Sequence, residues 1–284
     1  MANEVTTTSV TETIYTTIIT DRILRELRPL NVCRPFFRMG EPGASTSYDF
    51  TKLDDLAPTN VETPAEAADL TNRDVTTASV RATATVKAIM SSITDLAQKV
   101  SILDVLPEVQ GVLARTMAEK FETDLAANLA NFSNVSDAGA TLDVATFLAA
   151  IAALEQRDVT QSLVSVIHPK QQGQVRSNIQ SLTTQYWGRE GAPSLAEYHP
   201  NGYVGALFGV PIYQTSVVPT SDAAANRAGA VFVPGEALGL LELWTVKTEM
   251  ERDASKLLTE VVLSTAYGTV EIDDLRGQTL KSDV

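Results

Sequence analysis

The stretch SVRATATVKAIMSSIT, residues Ser79–Thr94, alternates apolar and polar side chains almost without a break. One side carries Val80, Ala82, Ala84, Val86 and Ala88, and the other carries Arg81, Thr83, Thr85 and Lys87. A period of two is typical of a half-buried β-strand. With the run Val75–Thr77 before it, the extended segment is several times longer than a mean strand, which has about 5–6 residues. One compact domain does not need so long a strand for its own core, so we expect it to cover a neighbouring subunit.

The residues before this strand predict its hairpin partner. Thr46–Leu53 is rich in β-forming residues, and Thr59–Asn72 carries a proline and small alanines among acids, as a loop tip does. The whole excursion, Glu41–Asp74, holds eight acids and two bases, a net charge of −6. Because an isolated two-stranded ribbon is marginally stable in water, this hairpin must rest on another surface.

A long amphipathic helix is predicted over Leu106–Phe132. Its apolar residues recur at steps of three and four, as Val109, Val112, Leu113, Met117, Phe121, Leu125, Leu129 and Phe132. Pro107 suits the first helical turn, and Asp104 is a candidate cap before it. About 25 residues give a helix about 37 Å long, so other elements must pack along its length.

Shorter helices and strands alternate in the second half of the chain. We predict a helix over Asp143–Gln156, a buried strand at Leu163–Ile167, a short helix opening at His168-Pro169, a long ordered loop at Thr184–Gly205, and strands within Leu207–Pro219, Ala228–Leu243 and Leu257–Ile272, with Gly268 as a bend. The buried face of the first helix comprises Val144, Phe147, Leu148, Ile151 and Leu154. This order lacks βαβ regularity and predicts the α+β class.

Composition excludes several classes of protein. The 284 residues are 44% hydrophobic and 20% charged, which is typical of a folded chain. A net charge of −13 disfavours a broad phosphate-binding surface. No apolar run is long enough to span a membrane and no signal peptide is recognisable, so we expect no membrane association and assembly in a cytoplasm. Cys33 is the single cysteine, and we expect it to be a small buried residue.

No motif predicts catalysis or ligand binding. Glycine-rich phosphate loops and the HExxH, CxxC and GxSxG motifs do not occur. His168 is interpreted as a helix-start residue and His199 as a loop residue, while Glu249 and Glu251, with Asp253, read as a solvated strand edge. We therefore predict no catalytic, cofactor-binding or metal-ligating residue and no enzyme. An enzyme or binding protein with an unrecognised site is the alternative of a different class.

Residues 1–39 are predicted to form an arm that contains a helix ending before Pro29. Its arginines make it the most basic part of the chain, and the hairpin after it is acidic. A solvated helix face is one interpretation of the arginines, and pairing with the hairpin acids of another subunit is the other. The candidate inter-subunit contacts are Arg22, Arg25, Arg28, Arg34, Arg38, Asp54, Asp55, Glu62, Glu66 and Asp69.

The order of these parts resembles the major capsid proteins of tailed bacteriophages, which have the Hong Kong 97-type fold. VSVIHPKQQGQVRSNI (Val164–Ile179) is similar to the strand–His-Pro–helix segment of the axial lobe of that family. GALFGVPIYQTSVVP (Gly205–Pro219) and AVFVPGEALGL (Ala230–Leu240) resemble the strands that follow. TEVVLSTAYGTVEIDDLRGQTL (Thr259–Leu280) resembles the closing strand pair of the peripheral lobe.

The resemblance implies an N-terminal arm (1–39), an extended β-hairpin loop or E-loop (40–92), a peripheral domain with a spine helix (93–142 and 241–284) and an axial domain (143–240). It implies a virion structural protein that self-assembles into pentamers and hexamers, forming an icosahedral capsid around double-stranded DNA without reading its sequence. The partners implied are copies of the chain, a separate scaffolding protein, a portal and decoration proteins, with no cofactor. An encapsulin-like compartment that encloses protein is the alternative with the same fold.

Overall fold

The computed structural model describes residues 33–41, 45–54, 56–64, 69–101, 105–139, 141–159, 161–186, 203–221 and 226–283. Within these ranges the α-helices are α1 (Asp95–Val100), α2 (Val105–Ala127), α3 (Val144–Glu155) and α4 (Pro169–Tyr186). The strands are β1 (Phe37–Gly40), β2 (Ser47–Leu53), β3 (Thr77–Thr83), β4 (Thr85–Thr94), β5 (Val135–Asp137), β6 (Val164–Ile167), β7 (Tyr203–Leu207), β8 (Val210–Gln214), β9 (Thr220–Ser221), β10 (Asn226–Phe232), β11 (Leu238–Asp253), β12 (Leu258–Glu271) and β13 (Gly277–Asp283). Helices and strands are mixed, which confirms the α+β class.

The first sheet has the strand order β1-β11-β12-β4. β1 runs parallel to β11, and the other pairs are antiparallel. Helix α2 packs across one face of this sheet, where Leu113 and Met117 meet Val261 and Leu263. The long helix is therefore confirmed, although Val112, which we expected on its buried stripe, is 59% exposed.

The second sheet has the order β5-β13-β10-β6-β8-β7, and β9 pairs with β10. Phe147 and Leu154 of α3 are buried in one core with Val175 of α4 and with Val231 and Leu280 of the sheet. Apolar residues of both sheets meet at the C-terminal end of α2, where Phe232 of β10 and Leu240 of β11 share a cluster. This cluster joins the two sheets into one body.

The predicted hairpin is confirmed. β2 and β3 form a separate two-stranded antiparallel sheet in which Leu53 lies opposite Thr77 and Ser47 opposite Thr83. Beyond these strands, Pro58–Asn60 forms a single 3₁₀ turn. The hairpin therefore extends beyond the two larger sheets, as the alternating stretch indicated.

The prediction of one continuous apolar face along Ser79–Thr94 is wrong beyond Ala84. β3 pairs with β2, whereas β4 pairs with β12 in the first sheet. Ala84 is buried, but Val86 is 63% exposed, and Ile93 is buried instead. Half of the long strand therefore completes the chain's own first sheet.

A partly buried ion pair lies on β4 just after the change of face at Ala84. The ammonium of Lys87, which we expected on the polar side, is hydrogen-bonded to the carboxylate of Asp124 on α2 and lies 4.6 Å from the centre of the Tyr267 ring. Tyr267 also donates a hydrogen bond of 2.7 Å to Asp124. Burial favours raising the pKa of Asp124, but the hydrogen bonds from lysine and tyrosine side chains lower it. The pair holds β4 against α2 through Lys87.

Most of the remaining helices and strands agree with the predictions from the sequence. Asp143 caps α3 by accepting a hydrogen bond of 2.7 Å from the Thr146 amide, but Leu148 is 40% exposed rather than buried. α4 is 18 residues long, not short. Cys33 is fully buried, as predicted. Gly268 lies inside β12 rather than at a bend.

Part of the predicted arm belongs to the body. Cys33, Phe36 and Phe37 are buried in the central cluster, and Phe37–Gly40 forms β1. Other predictions lie outside the described residues. These are the arm helix, most of the Thr184–Gly205 loop, and the residues Arg22, Arg25, Arg28, Asp55, Glu66, Asp104 and His199.

Candidate inter-subunit surfaces

The hairpin carries large apolar side chains that are exposed in the described part of the chain. Leu53, Val61 and Leu70 are 70%, 82% and 68% exposed. Leu56 and Val75 are also about half exposed. Single exposed apolar residues are normal on a protein surface, but several on one narrow ribbon mark a contact surface.

The acids of the hairpin are partly paired within it. Arg81 donates two hydrogen bonds to Asp49, of 2.7 and 2.8 Å, and holds the pKa of Asp49 below its ordinary value. Asp54 accepts from the Thr76 hydroxyl at 2.9 Å, and Glu62 accepts from Arg73 at 2.9 Å. These contacts fix the shape of the ribbon. Asp69, another predicted contact, is exposed.

The two described arginines of the predicted contact set have different surroundings. Arg34 is hydrogen-bonded to Glu242 and lies over the Phe121 ring, 5.6 Å from its centre. Arg34 therefore ties the start of the described chain to its own body, which accounts for its charge without another subunit. Arg38 lies on β1 and is exposed.

Among the described residues, nothing packs on part of one face of the first sheet. Val261 and Leu263 face α2, so the residues between and beside them face away. The pairing register places Met90 opposite Val262, which in turn lies opposite Glu249. We call this surface the open sheet face, and its apolar and charged residues are Val86, Ala88, Met90, Val262, Lys247, Glu249, Glu251 and Glu260. Its apolar part lies along β4, with acids along β11, and Met90 is 59% exposed.

The root of the hairpin is anchored to the opposite end of the same face. Phe50 is 1% exposed and packs in a cluster with Ala82, Leu241 and Ile272. Lys52 forms an ion pair of 3.0 Å with Asp273, which lies just after β12. The root is therefore fixed by its own chain, while the residues beyond Leu53 are not covered by it.

An acidic group lies beside this anchor. Burial, followed by hydrogen bonding to Asp274 and the charges of Asp274 and Asp273, raises the pKa of Glu271 to about 7. Asp274 itself accepts a hydrogen bond of 2.7 Å from the Ser133 amide. Among the described residues no group of histidine, cysteine or acidic side chains could hold a metal ion.

Glu122 of α2 is a second buried carboxyl group. It is 6% exposed and accepts a hydrogen bond from the Thr215 hydroxyl. Burial, together with the charge of Glu119, raises the pKa of Glu122, and the bond from Thr215 opposes that shift. Burial and the charge of Glu122 also raise the pKa of the Cys33 thiol, which makes Cys33 a packing residue rather than a nucleophile.

Replacing Glu122 by glutamine is expected to remove a pH-dependent loss of stability. The pKa of Glu122 in the folded chain lies above the ordinary value of 4.5. The contribution of Glu122 to the free energy of unfolding is therefore complete below pH 4.5 and is lost as pH rises through the folded-state pKa. Urea unfolding at about pH 4 and about pH 8 should show the native chain losing more stability than the Glu122→Gln chain. Equal losses in both chains would contradict a raised pKa at this position.

Of the two histidines, only His168 lies within the described residues. His168 precedes α4, and its Nδ1 accepts a hydrogen bond of 3.2 Å from the Lys170 amide, as expected for a helix-start residue. Burial, Arg227 and Lys170 lower the pKa of His168. Glu249 and Glu251 are exposed on β11, as expected for a solvated strand. In the described part of the chain, no helix is long and apolar enough to cross a membrane.

Sequence reasoning located the hairpin but missed the open sheet face, Glu122 and the Glu271–Asp274 pair. The faces of β4 depend on which strand it pairs with, and a period of two cannot reveal that choice. The three glycines within β1, β11 and β12 were an available signal, because glycine inside a strand marks close backbone approach.

Comparison with solved structures shows the fold. The chain is similar to the acid-stable capsid structure of Helicobacter pylori bacteriophage KHP30, with a TM-score of 0.69, 13% identity, and coverage of 87% of this chain and 88% of that one. It is also similar to the capsid of cyanophage P-SCSP1u, with a TM-score of 0.68, 16% identity, and coverage of 88% and 87%. The capsid of a native GTA particle gives a TM-score of 0.65 at 15% identity, with coverage of 89% and 90%.

Comparison of the sequence itself assigns the family. No curated protein matches it significantly. A family model described as phage capsid protein matches residues 58–277, from the distal part of the hairpin to the start of β13. The match includes α2, α3, α4 and the strands from β3 to β12, and the family is one of capsid structural proteins. The chain belongs to the phage capsid protein family.

Proposed function

We propose that this chain is the major capsid protein of a tailed bacteriophage, and that its copies form pentamers and hexamers in an icosahedral head around double-stranded DNA. The observation that carries the proposal is that the described residues expose two apolar surfaces, one on the hairpin and one on the open sheet face. The hairpin exposes Leu53, Val61 and Leu70, and the open sheet face exposes Val86 and Met90. In this proposal the hairpin of one copy lies on the open sheet face of the next.

The energetics favour a ring or shell over a single pair. Ordering the hairpin costs on the order of 1–2 kcal/mol per residue, and fully burying one leucine or valine contributes about 1.5–3 kcal/mol. Bringing two molecules together costs about 4–15 kcal/mol more. One hairpin contact is therefore marginal. In a closed ring every copy both donates a hairpin and receives one, so each added copy contributes a contact.

Charge restricts how the copies meet. The hairpin is acidic, and the open sheet face carries Glu249, Glu251 and Glu260, so apolar burial must supply the attraction between these two surfaces. The proposed contacts between the arm arginines and the hairpin acids would offset part of this repulsion. Exposed pairs are worth about 0–1 kcal/mol each, so they set register more than affinity. A net charge of −13 also suits a shell that does not bind its DNA tightly.

The proposed division of the chain follows the Hong Kong 97-type pattern of arm, extended loop, peripheral domain and axial domain. In this proposal the peripheral domain (93–142 and 241–284) contains α2 as the spine helix with β12 and most of β11, and the axial domain (143–240) contains α3, α4, β6, β7, β8 and β10. Burial of Cys33 and Phe36 supports an arm that ends before residue 33. Assembly in the host cytoplasm with a separate scaffolding protein, a portal and decoration proteins belongs to the same proposal.

Electron microscopy and light scattering of the purified expressed chain test the proposal. We expect closed particles of megadalton mass, because hexamers and pentamers must join to cover the exposed hairpins. A single copy in solution with its hairpin folded onto its own sheet would contradict the proposal. Particles filled with a protein instead of nucleic acid, when produced in the native host, would favour the encapsulin-like alternative.

A further inference from the structure

Three neighbouring strands each place a glycine beneath the root of the hairpin. Gly40 lies in β1, Gly239 in β11 and Gly268 in β12. Gly40 and Gly268 both lie opposite Leu241 in the pairing register, one on each side of it. Gly239 precedes Leu241 by two residues and so faces the same side of the sheet. We call these three residues the glycine seat.

No side chain fits at the glycine seat while the hairpin root keeps its position. A Cβ atom at Gly239 would lie 2.8 Å from Cε2 of Phe50 and 3.0 Å from Cδ1 of Ile272. At Gly40 it would lie 2.8 Å from Cδ1 of Tyr48, and at Gly268 2.2 Å from the Thr83 carbonyl oxygen. Carbon atoms in contact are about 3.5–4.0 Å apart. Each glycine therefore permits an approach that alanine would prevent.

The glycine seat lies where the long strand changes partners. Thr83 is the last residue of β3, and its carbonyl group crosses directly over Gly268. Next to this crossing the Tyr48 and Phe50 rings pack edge to face, with 4.9 Å between their centres. The root is thus held at the crossing point, at the Phe50 ring and by the ion pair between Lys52 and Asp273.

We propose that the glycine seat sets the angle at which the hairpin leaves the body, and through that angle the diameter of the assembled shell. The inference rests on the proposed function. The Phe50 ring must retreat about 1 Å to admit a Cβ atom at Gly239. Phe50 lies opposite Val80, three residues from Thr83, which is about 10 Å along the strand. A shift of about 1 Å over about 10 Å tilts the ribbon by about 5°.

A tilt of this kind repeats at every contact in a shell. Each copy meets the next through its hairpin, so the angle between hairpin and body becomes the angle between neighbours. A constant change at every contact alters curvature without removing any apolar side chain from the contact surface. The chain is thereby expected to keep its ability to associate while losing its native particle size.

Particle size of Gly239→Ala, measured by electron microscopy beside the native chain, tests the inference. We expect loss of particles of native diameter, replaced by particles of another size or by open sheets. Adding Phe50→Leu to the same chain removes the ring edge that the new methyl group meets, and should restore native-diameter particles. Gly173→Ala is the matched control, because a Cβ atom at Gly173 in α4 meets nothing within 4 Å. It should leave the diameter unchanged.

The outcomes separate the two proposals. If the native chain stays monomeric, both the proposed function and the inference about the glycine seat are overturned. If the native chain and the Gly239→Ala chain form shells of the same diameter, only the inference about the glycine seat is overturned. If Gly239→Ala fails to fold, the Phe50→Leu chain is tested alone. This change removes the ring that packs against Gly239 in the glycine seat and should broaden or shift the particle diameter. An unchanged diameter in that chain would also overturn the inference.

Discussion

Replacing residues 55–75 by an Asn-Gly turn is expected to abolish shell assembly while the single copy stays folded. Asp54 donates its amide hydrogen to the Thr76 carbonyl oxygen at 3.0 Å, and the two residues continue the register in which Leu53 lies opposite Thr77. A hydrogen-bonded pair of this kind can close a two-residue turn, for which Asn-Gly is well suited. The change removes Leu56, Val61, Leu70 and Val75 but leaves Phe50 in place.

Light scattering and electron microscopy measure this outcome, and circular dichroism checks the fold. Each removed side chain would have contributed about 1.5–3 kcal/mol when buried against a neighbour, so association should fall below detection. The control keeps the native length and replaces Leu56, Val61 and Leu70 by serine, which separates the loss of apolar contact from the loss of length. Closed shells from the shortened chain would show that the distal hairpin is not the contact that holds copies together.

Gly277→Ala is expected to destabilise the fold itself. A Cβ atom at Gly277 would lie 2.2–2.4 Å from three carbons of the Phe132 ring. That ring is 2% exposed and stacks on Phe232, with 6.4 Å between their centres, so it has little room to move. Forcing extra volume into a packed core costs about 1–3 kcal/mol, occasionally more, and we expect the upper part of that range here.

Urea unfolding of the unassembled chain measures the loss. Gly173→Ala is again the matched control, because glycine in a helix is less stable than alanine by roughly 0.5–1 kcal/mol and the site is open. It should raise stability slightly, whereas Gly277→Ala lowers it. Equal unfolding midpoints for native and Gly277→Ala chains would mean that the Phe132 ring can rearrange without cost.

The sequence predicted most elements because their periodicity is local. The stripe of α2, with Leu113, Phe121 and Leu125 buried, follows from a period that any single helix obeys. The helix predicted over Asp143–Gln156 and the buried strand at Val164–Ile167 were likewise indicated by neighbouring residues. The predicted hairpin also depended on local signals, two extended segments around a polar tip.

The predicted contact residues were less informative than the predicted fold. A run of arginines and a run of acids indicate charge, but not which charges are already used within the chain. Arg34 is paired with Glu242, more than two hundred residues away in sequence, and Glu62 is paired with Arg73. No local pattern reveals such partners, because the fold brings them together.

The sequence by itself determined that this protein has an amphipathic spine, an acidic hairpin and no recognisable catalytic site, because each property belongs to a short segment or to composition. Tertiary structure alone decided that the long strand changes partners at Ala84 and turns Val86 and Met90 outward. It also decided that Gly40, Gly239 and Gly268 meet under one hairpin root. The physical reason is that strand pairing is non-local, so the face a side chain presents depends on residues far along the chain.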